Sequence, residues 1–267
     1  MGIYALYASG YNYREVIFVS IQVEIVFRIA DTAYYFYSLI QIVAHSLIFC
    51  NMDQGIQNIV LWIVIVLFSA SIHEFFHGLV ALWQGDSTAK DEGRLTLNPL
   101  KHIDPMGSVV IPLFLVLTVG KAFGWAKPVP YNPYNLRDQK WGAVYVGLAG
   151  PASNFLIALV FGLSLRFMPV GVLAGIAEGQ TPMLAAMVEA LVTIVLVNII
   201  LGLFNLMPIP PLDGSKLLFA VLPPHLEHIK AMLSQYGFIL ALFFAVFLFS
   251  SLMPVVIFLF RLITGMG

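Results

Sequence analysis

The sequence has a single cysteine, Cys50, in 267 residues. That excludes an intrachain disulfide and any zinc site built on thiolates. It is also poor in charge, with 13 Lys and Arg against 14 Asp and Glu for a net −1. No basic patch or nucleic-acid motif is present, which argues against nucleic acid as a partner. No stretch is polar enough for a separate soluble domain of useful size, and there is no low-complexity segment and no clear internal repeat. The N-terminal MGIYALYASGYNYREV has no basic stretch ahead of an apolar core, so it does not read as a signal peptide. What fills the chain instead is apolar: 60% of residues are hydrophobic and the mean hydropathy is +0.91. That is the composition of a polytopic membrane protein.

Residues 57–83 form an apolar run long enough to cross a bilayer as one helix. Inside it stands His73-Glu74-Phe75-Phe76-His77. Histidines four apart lie one above the other on a single helix face, about 6 Å apart. That spacing lets both imidazoles ligate one Zn²⁺. Glu74, beside the first histidine, can reach a metal-bound water, whose pKa zinc lowers towards ~7 so that a carboxylate can take its proton. The bland alternative is a pair of packed histidines beside a buried glutamate. Ionisable groups in a membrane helix are expensive and usually functional, which weighs against it.

The flanking chain is organised around that helix. From Ser20, residues 16–29 alternate polar and apolar, a period of two that reads as a half-buried strand, with the start of a membrane helix as the competing reading. Residues 31–50 form a first crossing with Tyr34, Tyr35 and Tyr37 as interface anchors. Residues 84–105 are polar, and 94–97 read as a short strand. The apolar stretch 106–120 has Pro105 before it and Pro112 within it; it is short for a crossing and suits a re-entrant or interfacial segment. Residues 124–140 are Pro-rich and extended, so any strand there is an edge.

Residues 141–168 cross next and carry Gly150-Pro151-Ala152-Ser153-Asn154. Small residues allow close helix packing, and Asn154 places an amide inside the membrane, where a helix–helix hydrogen bond is one use for it. Residues 185–206 cross back and end at Asn205-Leu206-Met207-Pro208-Ile209-Pro210-Pro211-Leu212-Asp213-Gly214. Three prolines stop the helix there and leave Asp213 as a carboxylate at a broken helix end. Residues 215–235 are amphipathic, and 236–264 make a last crossing or a tight pair. The expected fold is an all-α polytopic membrane protein of about five to six transmembrane helices with small β-strands.

Catalytic zinc usually keeps three protein ligands and an open position. HEFFH supplies two, and Asp213 is the best placed candidate for the third. HExxH on a membrane helix, then GPASN, then NLMPIPPLDG, in that order, resembles the site-2 protease family of intramembrane zinc metalloproteases. The resemblance runs from about residue 57 to 235, and GRLTLNPLKHIDPMG and GWAKPVP look like its bacterial and archaeal members. It implies that His73, His77 and Asp213 bind one Zn²⁺ per chain, that Glu74 is the general base, and that Asn154 helps hold the substrate strand. Implied substrates are transmembrane or membrane-proximal segments of other membrane proteins, cleaved within the lipid bilayer. Family members with a PDZ domain or a CBS pair are larger; this chain looks like a minimal form. One metalloprotease domain is expected over 31–267, with its core at 57–235, after an N-terminal cytoplasmic segment at 1–30.

Loop charge sets the expected orientation. Seven Lys and Arg lie in 84–140 and two in 207–235, against none in 51–56 and 169–183. By the positive-inside rule the active site then opens to the cytoplasm of a prokaryotic cell. If Asp213 shares a metal with His73 and His77, both of their helices leave the membrane on one side, so 106–120 should not cross. Two readings from other classes stay open. A metal transporter also places His, Asp and Glu in membrane helices, although no second polar helix supplies a path. A catalytically dead scaffold usually lacks the glutamate or a ligand, and all four residues are present.

Overall fold

The computed structural model describes residues 52–119, 124–169, 172 and 182–266. The strand expected at 16–29 and the crossing expected at 31–50 lie outside them. Helix α1 (Met52–Trp83) carries HEFFH in its last third. Its Val60, Ile63, Val64 and Phe68 are exposed, whereas Ser69, Ser71, His73 and His77 are buried. Apolar outside and polar inside is what a helix solvated by hydrocarbon shows. The helix stops at Gly85, whose φ of +105° a side chain would resist. There Asp86 N returns to Ala81 O at 3.0 Å, and the short α2 (Thr88–Asp91) follows.

Asp104 then opens a wide turn (Pro105–Val110) by accepting from Met106 N and Gly107 N, and α3 (Ile111–Val119) continues from it. The start of this excursion lies beside its end. Trp125 N donates to Gly107 O at 3.1 Å, Ser108 Oγ to Trp125 O at 2.9 Å, and Trp125 Nε1 to Asp104 Oδ2 at 2.9 Å.

Helix α4 (Gly142–Arg166) and α5 (Pro182–Asn205) pack on each other and on α1. Phe155 of α4 sits over Gly202 of α5, where a Cβ would come within 2.9 Å of the ring. With no water to expel between membrane helices, this kind of close fit is what holds them together. After α5 come α6 (Gly214–Val221), α7 (Glu227–Phe243) and α8 (Met253–Thr264). Ala158 and Leu165 of α4, Val195 and Ile199 of α5, and Val256 and Phe260 of α8 form one buried apolar core. Gly162 leaves room for Ile263 at the same seam.

Two expectations change. Among the described residues four helical stretches are long and apolar enough to cross a membrane: Val60–Trp83, Gly142–Arg166, Met183–Asn205 and Glu227–Leu248; the crossing expected at 31–50 lies outside those residues. The last of the four begins nine residues earlier than the sequence suggested, because 227–235, amphipathic by pattern, is continuous with the apolar run after it.

There is also no strand among the described residues. At 94–97 the backbone turns back, with Arg94 N and Leu95 N both on Ala89 O and Thr96 N on Arg94 O. At 127–131, Lys127 N goes to His102 O and Val129 N to the Glu74 side chain, while Pro128 and Pro130 have no N–H to offer. The backbone at these two places is engaged by other partners and forms no ladder.

Candidate metal centre

Three segments meet here: the last turns of α1, the first half of α4 and the turn that ends in α6. Gly147 and Gly150 of α4 make the meeting possible. A Cβ on Gly150 would lie 2.5 Å from the Nε2 of both His73 and His77, and one on Gly147 would lie 2.6 Å from Lys216 Cδ and 3.1 Å from Asp213 O. Gly214 does the same within the turn, since a Cβ there would run into Leu206 O. The prolines that end α5 thus fold the chain back until Asp213 faces α1.

The side chains are oriented from behind. His77 Nδ1 lies 2.6 Å from the carbonyl oxygen of Val146, and His73 Nδ1 lies 2.6 Å from Asn154 Oδ1. Both partners are acceptors, so both Nδ1 atoms carry the hydrogen and both Nε2 atoms present a lone pair. Those lone pairs converge. The two Nε2 atoms are 2.9 Å apart, and Asp213 Oδ2 is 3.0 Å from His73 Nε2 and 3.1 Å from His77 Nε2. All three residues are buried.

Three acceptors pressed together out of water repel one another unless a cation joins them. Ligands about 2.0–2.1 Å from a tetrahedral zinc stand roughly 3.3 Å from each other, close to what is seen here. The donor set therefore fits one zinc ion. Ligand atoms of His73, Glu74 and His77 also lie within 4.8 Å of one another.

Two further groups complete the site. Glu74 Oε2 accepts from Val129 N at 2.8 Å, which ties α1 to the Pro-rich segment. Lys216 Nζ donates to Asp213 Oδ1 at 2.8 Å and lies 5.5 Å from the Tyr131 ring centroid. Burial works to raise the Asp213 pKa, and the Lys216 ammonium on Oδ1 works to lower it. Burial works against the Lys216 ammonium, and Asp213 more than offsets it, so its pKa is raised.

Residues 61–247 match the family model of Peptidase family M50. The chain belongs to this family, the site-2 proteases. Among M50 relatives, "Putative zinc metalloprotease YwhC" of Bacillus subtilis is 36% identical over 183 residues, covering 67% of this chain and 77% of its own. "Putative zinc metalloprotease Rip2" of Mycolicibacterium smegmatis is 31% identical over 175 residues, 65% of this chain and 62% of its own. No solved structure matches.

The M50 chain brings together every residue singled out from its sequence: His73, Glu74, His77, Asn154 and Asp213. Sequence reasoning missed Lys216, which the spacing Asp-Gly-Ser-Lys could have flagged as one helical turn from Asp213. It also missed Asn198, a lone amide inside an apolar helix, which is the same signal that picked out Asn154. Val129 N and Val146 O are backbone groups and leave no mark in composition.

Proposed function

We propose that this chain is an intramembrane zinc endopeptidase that cuts transmembrane or membrane-proximal segments of other membrane proteins. The observation that carries the reading is the convergence of His73 Nε2, His77 Nε2 and Asp213 Oδ2 on helices with lipid-compatible exteriors. In it these three atoms hold one zinc ion per chain. Bound zinc lowers the pKa of water and polarises a carbonyl.

The protein's own groups supply the rest. Glu74 acts as general base and then returns its proton to the leaving nitrogen. Val129 N–H holds the Glu74 carboxylate at one oxygen and leaves the other to move the proton. Lys216 occupies Asp213 Oδ1 and so confines ligation to Oδ2. Both ends of the Asn154 amide are engaged within the protein, by His73 and by Asn198, so its contacts favour orienting His73 over holding substrate.

The site opens to the cytoplasm, towards the Lys- and Arg-bearing loops. Gly107 and Trp125 are bonded to each other, so in this reading the chain leaves and returns on that side. Leu113, Phe114 and Leu117 of α3 are more than half exposed, as suits a segment resting in lipid.

Co-expression with candidate single-span membrane proteins tests the reading. New fragments should form with wild type and vanish with Glu74→Gln, while the variant keeps its zinc. Identical fragments from both proteins would overturn it.

A further inference from the structure

Behind His73 lies a chain of buried amides that crosses three helices. Asn198 Nδ2 of α5 donates to Ile194 O at 2.8 Å and to Ser69 Oγ of α1 at 2.9 Å. Asn154 Nδ2 of α4 donates to Asn198 Oδ1 at 2.9 Å, and Asn154 Oδ1 faces His73 Nδ1 at 2.6 Å. Asn154 and Asn198 are fully buried, Ser69 is 4% exposed and His73 6%.

The direction of this chain is fixed at one end. A backbone carbonyl can only accept, so Ile194 O dictates which end of the Asn198 amide is Nδ2. Asn198 must then show Oδ1 to Asn154. Asn154 must in turn show Nδ2 to Asn198 and Oδ1 to His73. His73 is left one option, hydrogen on Nδ1 and a lone pair on Nε2, which is the form a metal needs.

We propose that Asn198 is a positioning residue for the metal centre, setting the tautomer of His73 through Asn154. This rests on the reading of His73 as a zinc ligand. Without an acceptor at 198, the Asn154 amide is free to turn over. Its Nδ2 would then face His73 and favour the tautomer with hydrogen on Nε2, which cannot ligate. Groups that orient a ligating histidine typically matter at the ten- to hundredfold level in metal affinity.

The test compares zinc affinity, by chelator competition, among purified full-length variants. Asn198→Leu should bind zinc about 10–100-fold more weakly than wild type. Asn154→Asp added to Asn198→Leu should restore it, because both oxygens of a carboxylate accept and its direction no longer matters. Should Asn198→Leu not fold, Asn198→Thr replaces it in both proteins; its hydroxyl bonds back within its own helix, as Thr193 does to Glu189 O at 2.8 Å, and does not reach Asn154.

Unchanged zinc affinity in the position-198 variant would overturn the proposal. So would a loss that Asn154→Asp fails to repair, since that would make Asn198 a packing residue only. Wild-type protein that binds no zinc would instead sink the metal centre itself, so the two failures are distinguishable.

Discussion

Lys216 Nζ stands 2.8 Å from Asp213 Oδ1, three residues away at the start of α6, and leaves Oδ2 alone to face the two histidines. A free carboxylate can offer a metal either one oxygen or two; this one is held to one. Lys216→Met removes the constraint with little change in volume. We expect zinc affinity to fall about tenfold, in line with other groups that orient a ligand, and Lys216→Arg to recover most of it. Chelator competition decides the matter, and a Met variant that binds as tightly as wild type would show that Asp213 needs no guide.

Gly150 provides the second prediction. In an ordinary helix Gly→Ala gains about 0.5–1 kcal/mol. Here the new methyl would sit 2.5 Å from both Nε2 atoms. Gly150→Ala should therefore cost the protein its zinc while α4 still forms, seen as metal content well below one per chain with unchanged helical circular dichroism. A full complement of zinc would mean that the histidines have more room than this arrangement gives them.

The Glu74–Val129 bond predicts a kinetic effect without a metal effect. Val129→Pro removes the donor and keeps an apolar side chain between two existing prolines. A hydrogen bond to a charged group contributes about 1.5–3 kcal/mol, so cleavage should slow by roughly ten- to a hundredfold. Zinc content should hold. Val129→Ala, which retains the N–H, is the control, and equal rates for the Pro and Ala variants would remove Val129 from the catalytic account.

Asp86 gives a pH dependence away from the metal. It is fully buried, yet accepts from Thr88 Oγ1 at 2.6 Å, Asn132 N at 2.8 Å, Asn135 Nδ2 at 2.9 Å and Thr88 N at 3.3 Å. Burial by itself would raise its pKa, but the bonds from Thr88, Asn135 and Asn132 outweigh it and the value is lowered. A carboxyl with a lower pKa folded than unfolded stabilises the fold fully above the unfolded value of about 3.9. That stability is lost as pH falls from there through the folded value. Thermal melts between about pH 7 and 2 should therefore show an acid limb that Asp86→Asn flattens, with a loss of about 1–3 kcal/mol at neutral pH. A limb of unaltered shape in the variant would assign the acid sensitivity elsewhere.

Much of the site was legible because its chemistry is expensive where it sits. His73, Glu74, His77 and Asp213 stood out as ionisable groups in apolar surroundings, and HExxH fixed the spacing of the first three. The helices around them followed from run length. No strand formed at 94–97 or 127–131 because an extended backbone, legible from the sequence, does not say where its hydrogen bonds go. At 127–131 those bonds go to His102 O and the Glu74 carboxylate, partners 25 and 55 residues away in sequence. Lys216 and Asn198 were missed for a related reason. Each acts through a single named neighbour, and only the folded chain shows which neighbour that is.

The bond between Gly107 and Trp125 makes the stretch between them a closed appendix. Whatever its length, the chain re-emerges where it went in, and Pro128 to Tyr131 arrive beside Glu74 and Lys216 unchanged. Residues near its tip could be lengthened, shortened or exchanged without re-threading any helix that follows. A protease of this design could thus acquire a new contact with lipid or substrate by altering one short insert while the histidines, Asp213 and the order of its crossings stay as they are.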